Sequence, residues 1–224
     1  DVAGLFPVNN DSFTWFTDTI LEDLKYLDLV PVWRENVLPG FEKNIYEKYC
    51  SKVNITKLQH LEPYFFDDPW TSYLEGKKVA VFSPFATSIS NNFKNLNKIW
   101  NNKITSNFDL IPIQYPTAIT ITKDSPYENS REIYDEMLDK VKSLDFDVGI
   151  FGTGHTGLLL ALECKKIGKT GIHLGGATQI LFGIKGNRWD KMKEFQPFFN
   201  EYWTRPLDNE TPDRIDVVEQ ACYW

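Results

Sequence analysis

The stretch DVGIFGTGHTGLLLALECKKIGKTGIHLGG (residues 147–176) decides the fold. Its first five residues form an apolar, strand-like run that ends in Gly152, Gly154 and Gly157 at G-x-G-x-x-G spacing. The following GLLLALECKKIG is apolar nearly all round, which predicts a buried helix. Lys165 and Lys166 in its last turn, with Gly168 behind them, are stop signals. GIHLGG then reads as the next strand. A glycine turn between a strand and a helix is the setting in which backbone amides at a helix N-terminus cradle a phosphate. A tight packing turn with no ligand is the competing reading.

The same alternation continues outward. KKVAVFSPF (77–85) predicts a buried strand stopped by Ser-Pro. SISNNFKNLNKIW (88–100) places Ile89, Phe93, Leu96 and Trp100 at helical spacing, and DLIPIQYP (109–116) predicts a short strand. Ser125 and Glu128 form an S-x-x-E capping box with Pro126 at the first helical position, so a helix is expected to start there. It turns Ile133, Met137 and Val141 inward and Glu132, Asp135, Glu136 and Asp139 toward water. Upstream, Phe13, Phe16, Ile20, Leu24 and Leu27 follow the capping candidates Asn10 and Asp11 at helical spacing. LVPVW (29–33) reads as an edge strand, PGFEKNIYEKYC (39–50) as a helix, and Asp68 as the cap of a helix beginning at Pro69. Strand–helix alternation predicts an α/β fold, a mostly parallel sheet with helices on both faces, Rossmann-like in plan, in one domain over residues 1–224. Ligands of such sheets bind beyond the carboxyl ends of the strands. FSPFATS, IQYPT, FGTGH and HLGGA are therefore expected along one edge.

Composition narrows the partners. The 224 residues carry a net charge of −7 and no basic run, which argues against a nucleic-acid footprint. No apolar run approaches the roughly 20 residues of a membrane span, and no signal-peptide pattern is present, so a cytoplasmic protein is expected. Cys50, Cys164 and Cys222 stand far apart without C-x-x-C spacing, which predicts free thiols. The first residue is Asp1, so the chain reads as a domain cut from a longer polypeptide. Aromatics make up 15%, a content that suits either a sugar-binding cleft or a core of large side chains.

Along the expected ligand edge, the candidate nucleotide-binding residues are Ser83, then Gly152, Thr153, Gly154, His155, Thr156 and Gly157, then His173, Gly175 and Gly176. A dinucleotide site needs an acid at the end of the strand after the glycine turn, to hold the ribose. His173-Leu174-Gly175-Gly176 contains none, which turns the reading from NAD to a nucleoside diphosphate. GGATQILFGIKGNRWD (175–190) adds Gln179, Lys185, Arg188, Trp189 and Asp190. Its glycines permit close backbone approach, its cations suit a pyrophosphate, and Trp189 suits stacking on a base or sugar. A glycine-kinked surface loop is the plainer alternative. His155 suits a phosphate donor or a base, and His173 reads otherwise as a core histidine. Carboxylates for glycosyl transfer are Glu35 in VWREN, Glu62 in LEPY and the Asp67–Asp68 pair. There is no D-x-D triplet, so Mn²⁺ or Mg²⁺ dependence stays open.

Taken together, LEPYFFDDPW, LEGKKVAVFSPFATSI, DVGIFGTGHTGLLLALECKKIGKTGIHLGGATQILFGIKGNRWD and the terminal ACYW resemble a family of proteins from bacterial polysaccharide-gene neighbourhoods and from large DNA viruses of algae. The resemblance is to the middle domain of three-domain chlorovirus proteins, between a glycosyltransferase and a methyltransferase domain. It implies transfer of L-rhamnose from UDP-L-rhamnose, or another UDP-sugar, to a viral N-glycan acceptor with inversion, in the host cytoplasm and beside neighbouring domains of the same polypeptide. More distantly the layout is similar to GT-D glycosyltransferases, whose acidic pair corresponds in place to Trp33-Arg34-Glu35-Asn36. Only Glu35 is acidic here, which puts the metal requirement in doubt and brings in Arg34, Lys185 and Arg188 as substitutes. That resemblance makes Glu35 the first expected base and His155 the second. The rival expectations are an NAD(P)- or S-adenosylmethionine-dependent enzyme and a non-catalytic carbohydrate-binding module.

Overall fold

The computed structural model describes residues 4–33, 39–50, 52–116 and 125–224. Helix α1 (Asn10–Asp23) leads to strand β1 (Leu29–Val32), helix α2 (Phe41–Tyr49) and strand β2 (Asn54–Lys57), which pairs in parallel with β1. The main sheet follows, with β3 (Lys78–Ser83), helices α3 (Ala86–Phe93) and α4 (Leu96–Ile99), β4 (Asp109–Gln114), α5 (Ser130–Ser143), β5 (Val148–Phe151), α6 (Thr156–Lys166) and β6 (Thr170–His173). Two short helices, α7 (Ala177–Leu181) and α8 (Asn187–Asp190), complete the chain before a C-terminal segment of turns and 3-10 pieces.

The four main strands are all parallel, in the order β4-β3-β5-β6. The chain steps outward from β3 to β4, then crosses back over β3 to lay down β5 on its other side. Strand order therefore reverses between β3 and β5, the place where a sheet of this kind opens a crevice for ligands. Parallel register also brings Ser83, Gln114, Phe151 and His173 to one edge, as the strand–helix alternation required.

Strand sequences follow position in the sheet. Val79 to Ser83 and all four residues of β5 are buried, because these central strands are covered on both faces and have no polar side to alternate with. Pro112 lies in edge strand β4, where its missing N–H breaks no ladder. Val79, Val81, Val148 and Ile150 face a core shared with Ile89 of α3, Leu96 and Ile99 of α4 and Ile180 of α7. Ala80, Phe82 and Phe151 face the opposite core, built with Ile133, Met137 and Val141 of α5 and Leu159, Leu160 and Cys164 of α6. The sheet thus carries helices on both faces.

The aromatic content goes largely into the first core. Tyr64 stacks on Trp100 with ring centroids 5.0 Å apart and an interplanar angle of 3°. Trp203 meets Trp100 edge-on at 5.0 Å, and Phe195 and Phe198 close around Tyr64. Burial drives the Tyr64 hydroxyl pKa upward, and its proton goes to Glu62 Oε1 at 2.9 Å.

Helix α6 is the tightest joint. A Cβ placed on Gly171 of β6 would lie 2.6 Å from Ala161 Cα and closer still to the Ala161 carbonyl, so only glycine lets the helix backbone touch the strand. At its far end Lys166 reaches buried Asp23 of α1 and Glu163, each at 2.7 Å.

Several expectations need correction. Helix α5 begins at Ser130, not near Pro126: Asn129 Oδ1 caps it by accepting from Glu132 N at 3.1 Å, and the Glu132 carboxylate returns to Glu128 N at 2.8 Å. This is a variant of the capping box built on Asn, with the carboxylate accepting from the residue before the cap and from the Asn129 side-chain amide at 2.9 Å. Helix α1 is capped by Asn9, one residue before the expected pair. The 88–100 run breaks into α3 and α4, and Asn101 and Asn102 at φ 49° and 64° end it. Asp68 caps nothing, since Pro69 is extended and leads into a 3-10 turn without a side-chain cap. Strand β2 was not anticipated.

Gly171→Ala is expected to cost about 3 kcal/mol, the upper end for overpacking against backbone. Gly76→Ala, with open space around it at φ +71°, should cost only about 1 kcal/mol. Urea unfolding of the two variants beside the parent measures the difference, and equal costs would contradict this account of the α6–β6 contact.

Candidate functional site

Two helix N-termini follow β3 and β5, the strands between which the order reverses. One is already filled. Helix α3 follows β3, and the buried Glu210 carboxylate, arriving from the C-terminal segment, accepts from Thr87 N at 2.7 Å, from Ser88 N at 3.2 Å and from the Ser88 hydroxyl. A negative charge on those amides complements the helix dipole. Ser83 is likewise engaged, its Oγ accepting from Phe85 N at 3.1 Å.

The second N-terminus belongs to α6, and no side chain caps its first turn among the described residues. The glycine turn that feeds it is fixed from several sides. Gly152 N donates to Phe82 O at 2.9 Å, tying the turn to β3. Thr156 Oγ1 donates to Thr153 O at 2.9 Å and lies 2.9 Å from the Tyr115 hydroxyl. Burial pushes the Tyr115 pKa up to about 12, so it stays a phenol. Gly154 stands exposed at φ +57°, a conformation suited to glycine. The other two glycines answer to packing. A Cβ on Gly152 would lie 2.9 Å from Thr178 Oγ1, and one on Gly157 would lie 2.6 Å from His173 Nε2.

This close fit leaves two buried hydroxyls, Thr153 Oγ1 and Thr178 Oγ1, with no hydrogen-bond partner. Buried polar atoms are almost always satisfied, so a pair of orphans beside one turn marks a place where a polar ligand group would be welcome. His155 turns its ring against Phe16 of α1, with centroids 5.8 Å apart. His173 sits behind the turn. Burial pushes its pKa down to about 4, and its hydrogen bond with the Gly154 backbone pulls weakly the other way. With no anion beside it, this favours the uncharged imidazole at neutral pH. Gly175, at φ +57°, and Gly176 shape the adjoining turn, with Leu174 N and Gly175 N both donating to Phe151 O.

The stretch 175–190 is not an open loop at the crevice. It folds into α7 and α8, and its glycines admit neighbouring groups: Gly176 faces the Tyr223 ring and Gly186 the carbonyls of Cys222 and Tyr223. Gln179 is buried and donates to Ile184 O, Lys185 O and Tyr223 O, which ties the C-terminal residues down. Trp189 is 4% exposed and belongs to the core, so its face is not available to a base or sugar. Lys185 Nζ stands over the Phe199 ring at 4.9 Å, Arg188 pairs with Glu219, and Asp190 pairs with Arg205.

Arg34, Glu35 and Asn36 lie outside the described residues. Among the described residues no three His, Cys, Asp or Glu side chains gather where a cation could be held. Glu62 stands with Tyr64, away from the glycine turn in the contacts it makes, and burial raises its carboxyl pKa. Tyr115, Thr178 and Glu210 escaped sequence reasoning: Glu210 lies 123 residues from Thr87, and no local signature announces the contact. No protein-family model, curated protein or solved structure matches the chain.

His173 carries a pH signature. Its folded pKa near 4 is below the ordinary 6.5, so the unfolded chain takes up the proton first as pH falls. The associated stability is fully present above pH 6.5 and is lost between pH 6.5 and 4, by roughly 2–3 kcal/mol. His173→Asn should flatten that part of the stability profile in urea titrations at pH 7, 5.5 and 4.5. An unchanged slope would show that the ring is not buried neutral.

Proposed function

We propose that this chain transfers a sugar from a nucleoside diphosphate donor to a hydroxyl of a glycan acceptor. The observation that carries the reading is the α6 N-terminus, uncapped by any described side chain, behind a glycine turn at the reversal of strand order, with the orphaned hydroxyls of Thr153 and Thr178 beside it. With Gly152 N already donating to Phe82 O and Gly157 N to Gly154 O, the amides of the turn between them and the first turn of α6 hold the diphosphate, where the helix dipole offsets its charge. The matching terminus of α3 is occupied by Glu210, which directs the anion to α6.

In the reaction the acceptor oxygen bonds to the anomeric carbon, the bond to the phosphate oxygen breaks, the acceptor proton goes to a base, and the nucleotide leaves with the electron pair. Glu35 is the first choice of base and His155 the second. Lys185 and Arg188 already have partners, so stabilisation of the leaving group falls to the α6 amides. The finer parts of the reading rest on the family resemblance: a Rossmann-like plan with GT-D character, UDP-L-rhamnose as donor, an N-glycan acceptor in viral glycan assembly, Mn²⁺ or Mg²⁺ as a possible requirement, partner domains in the same polypeptide, and a cytoplasmic site of action.

Calorimetric titration of the purified protein with UDP, NAD and S-adenosylmethionine tests the reading. UDP should bind, and Gly154→Val should weaken it by about tenfold, or 1.4 kcal/mol, while a thermal melt confirms that the variant is folded. Binding of NAD or S-adenosylmethionine in place of UDP, or UDP binding indifferent to Gly154→Val, would overturn it. Release of UDP from UDP-rhamnose, measured with Mn²⁺ and with EDTA, then decides the donor and the metal requirement.

A further inference from the structure

Asn187, Arg188, Lys191, Glu219, Gln220 and Cys222 line a hollow of about 260 Å³. Two of the six are cations, and one of them is held ready. The Arg188 guanidinium lies 4.9 Å from the centroid of the Tyr223 ring and 5.7 Å from that of Trp189. Two aromatic faces keep such a group flat and oriented, so little freedom is lost when its fork meets an anion. Lys191 stands exposed at the rim. The main-chain amides at this end of α8 are already spent, Asn187 N on Trp224 O and Arg188 N on Cys222 O, both at 3.0 Å. At this end of α8 a further anion therefore meets side chains.

The group now on Arg188 is the Glu219 carboxylate, and the way the chain delivers it is unusual. Glu219, Gln220 and Ala221 have φ of 44°, 59° and 59°. The left-handed region disfavours residues that carry a Cβ, and here three such residues follow one another. Glu219 itself is exposed, its side chain retaining 53% of its accessible surface, so the ion pair is open to water and weak. The chain thus holds an acid against an oriented arginine, through a strained turn, for an exposed pair that returns little stability.

We infer that the Arg188–Lys191 hollow is a binding site for a small oxyanion group, carboxylate or phosphate, and that Glu219 is an internal occupant which the ligand displaces. The hollow shares no lining residue with the glycine turn, and the inference does not depend on the nucleotide reading. A ligand that enters swaps one carboxylate for another anion of matching fork geometry and frees residues 219–221 from their strained turn.

The test uses inorganic phosphate and acetate as probes, titrated into the whole chain by calorimetry at low ionic strength, with UDP titrated separately. The parent should bind phosphate or acetate weakly. Glu219→Gln removes the internal competitor and should tighten binding about fivefold. Lys191→Gln, at an exposed position, should weaken it about threefold, and Arg188→Gln in the Glu219→Gln background should abolish it, with a thermal melt confirming that the protein is folded. UDP affinity should stay unchanged throughout, so failure of this site and failure of the nucleotide site give different results. A preference for phosphate over acetate identifies a phosphorylated ligand, and the reverse a carboxylate. Failure of Glu219→Gln to tighten either probe, or loss of neither on removal of Arg188 and Lys191, would overturn the inference.

Discussion

The closeness of helix α6 to strands β5 and β6 governs the rest of the molecule. There is no room for a Cβ at Gly171 against Ala161 or at Gly157 against His173, and at Gly149 a Cβ would press on the Phe151 ring and Cys164 Sγ. A helix lowered this far onto a sheet must start immediately beyond the strand that precedes it, and the turn between them has to be short. The conformation of residues 152–157, the burial of His173 and the position of the α6 N-terminus beside β3 all follow from that contact. Packing thus calls for glycine at Gly149, Gly157 and Gly171, while at Gly154 it is the positive φ of the turn that does.

Much of this architecture was legible from the chain alone. An apolar run between glycines can only be a buried strand or helix, and β3, β5 and α6 declared themselves through length and punctuation. Strand β2 did not, because Asn54 to Lys57 is largely exposed and has no apolar face to reveal a period of two. The start of α5 was misplaced because two capping patterns stand four residues apart. The Asn129–Glu132 pattern prevails through Ser130, whose hydroxyl accepts from Phe6 N and anchors the helix start to the N-terminal segment. That contact spans 124 residues and is invisible to any local reading.

The candidate site divides in the same way. Residues 152–157 stand out as a strand–turn–helix joint because their spacing is a local property. Residues 175–190 were misread because glycine density signals open loops and crowded interiors alike. Here Gly176 and Gly186 yield space to Tyr223, Trp189 and the Cys222 carbonyl, and Trp189 becomes core. The charges of Arg188 and Asp190 were read as available, but their partners, Glu219 and Arg205, come from parts of the chain with no sequence relation to them. Spacing reports what a segment can do alone, and tertiary contacts decide which of those capacities stay free.

The contact between Glu210 and the start of α3 bears on the order in which the molecule is completed. As the chain leaves the ribosome, β3 and α3 emerge more than a hundred residues before the acid that closes the helix end. Until then the Thr87 and Ser88 amides must bond to water, and the first strand–helix unit of the sheet stays unfinished while the β4, β5 and β6 segments emerge. A contact of such long range is slow to close. The earliest-made unit of the sheet is therefore sealed only by a residue 123 positions after Thr87.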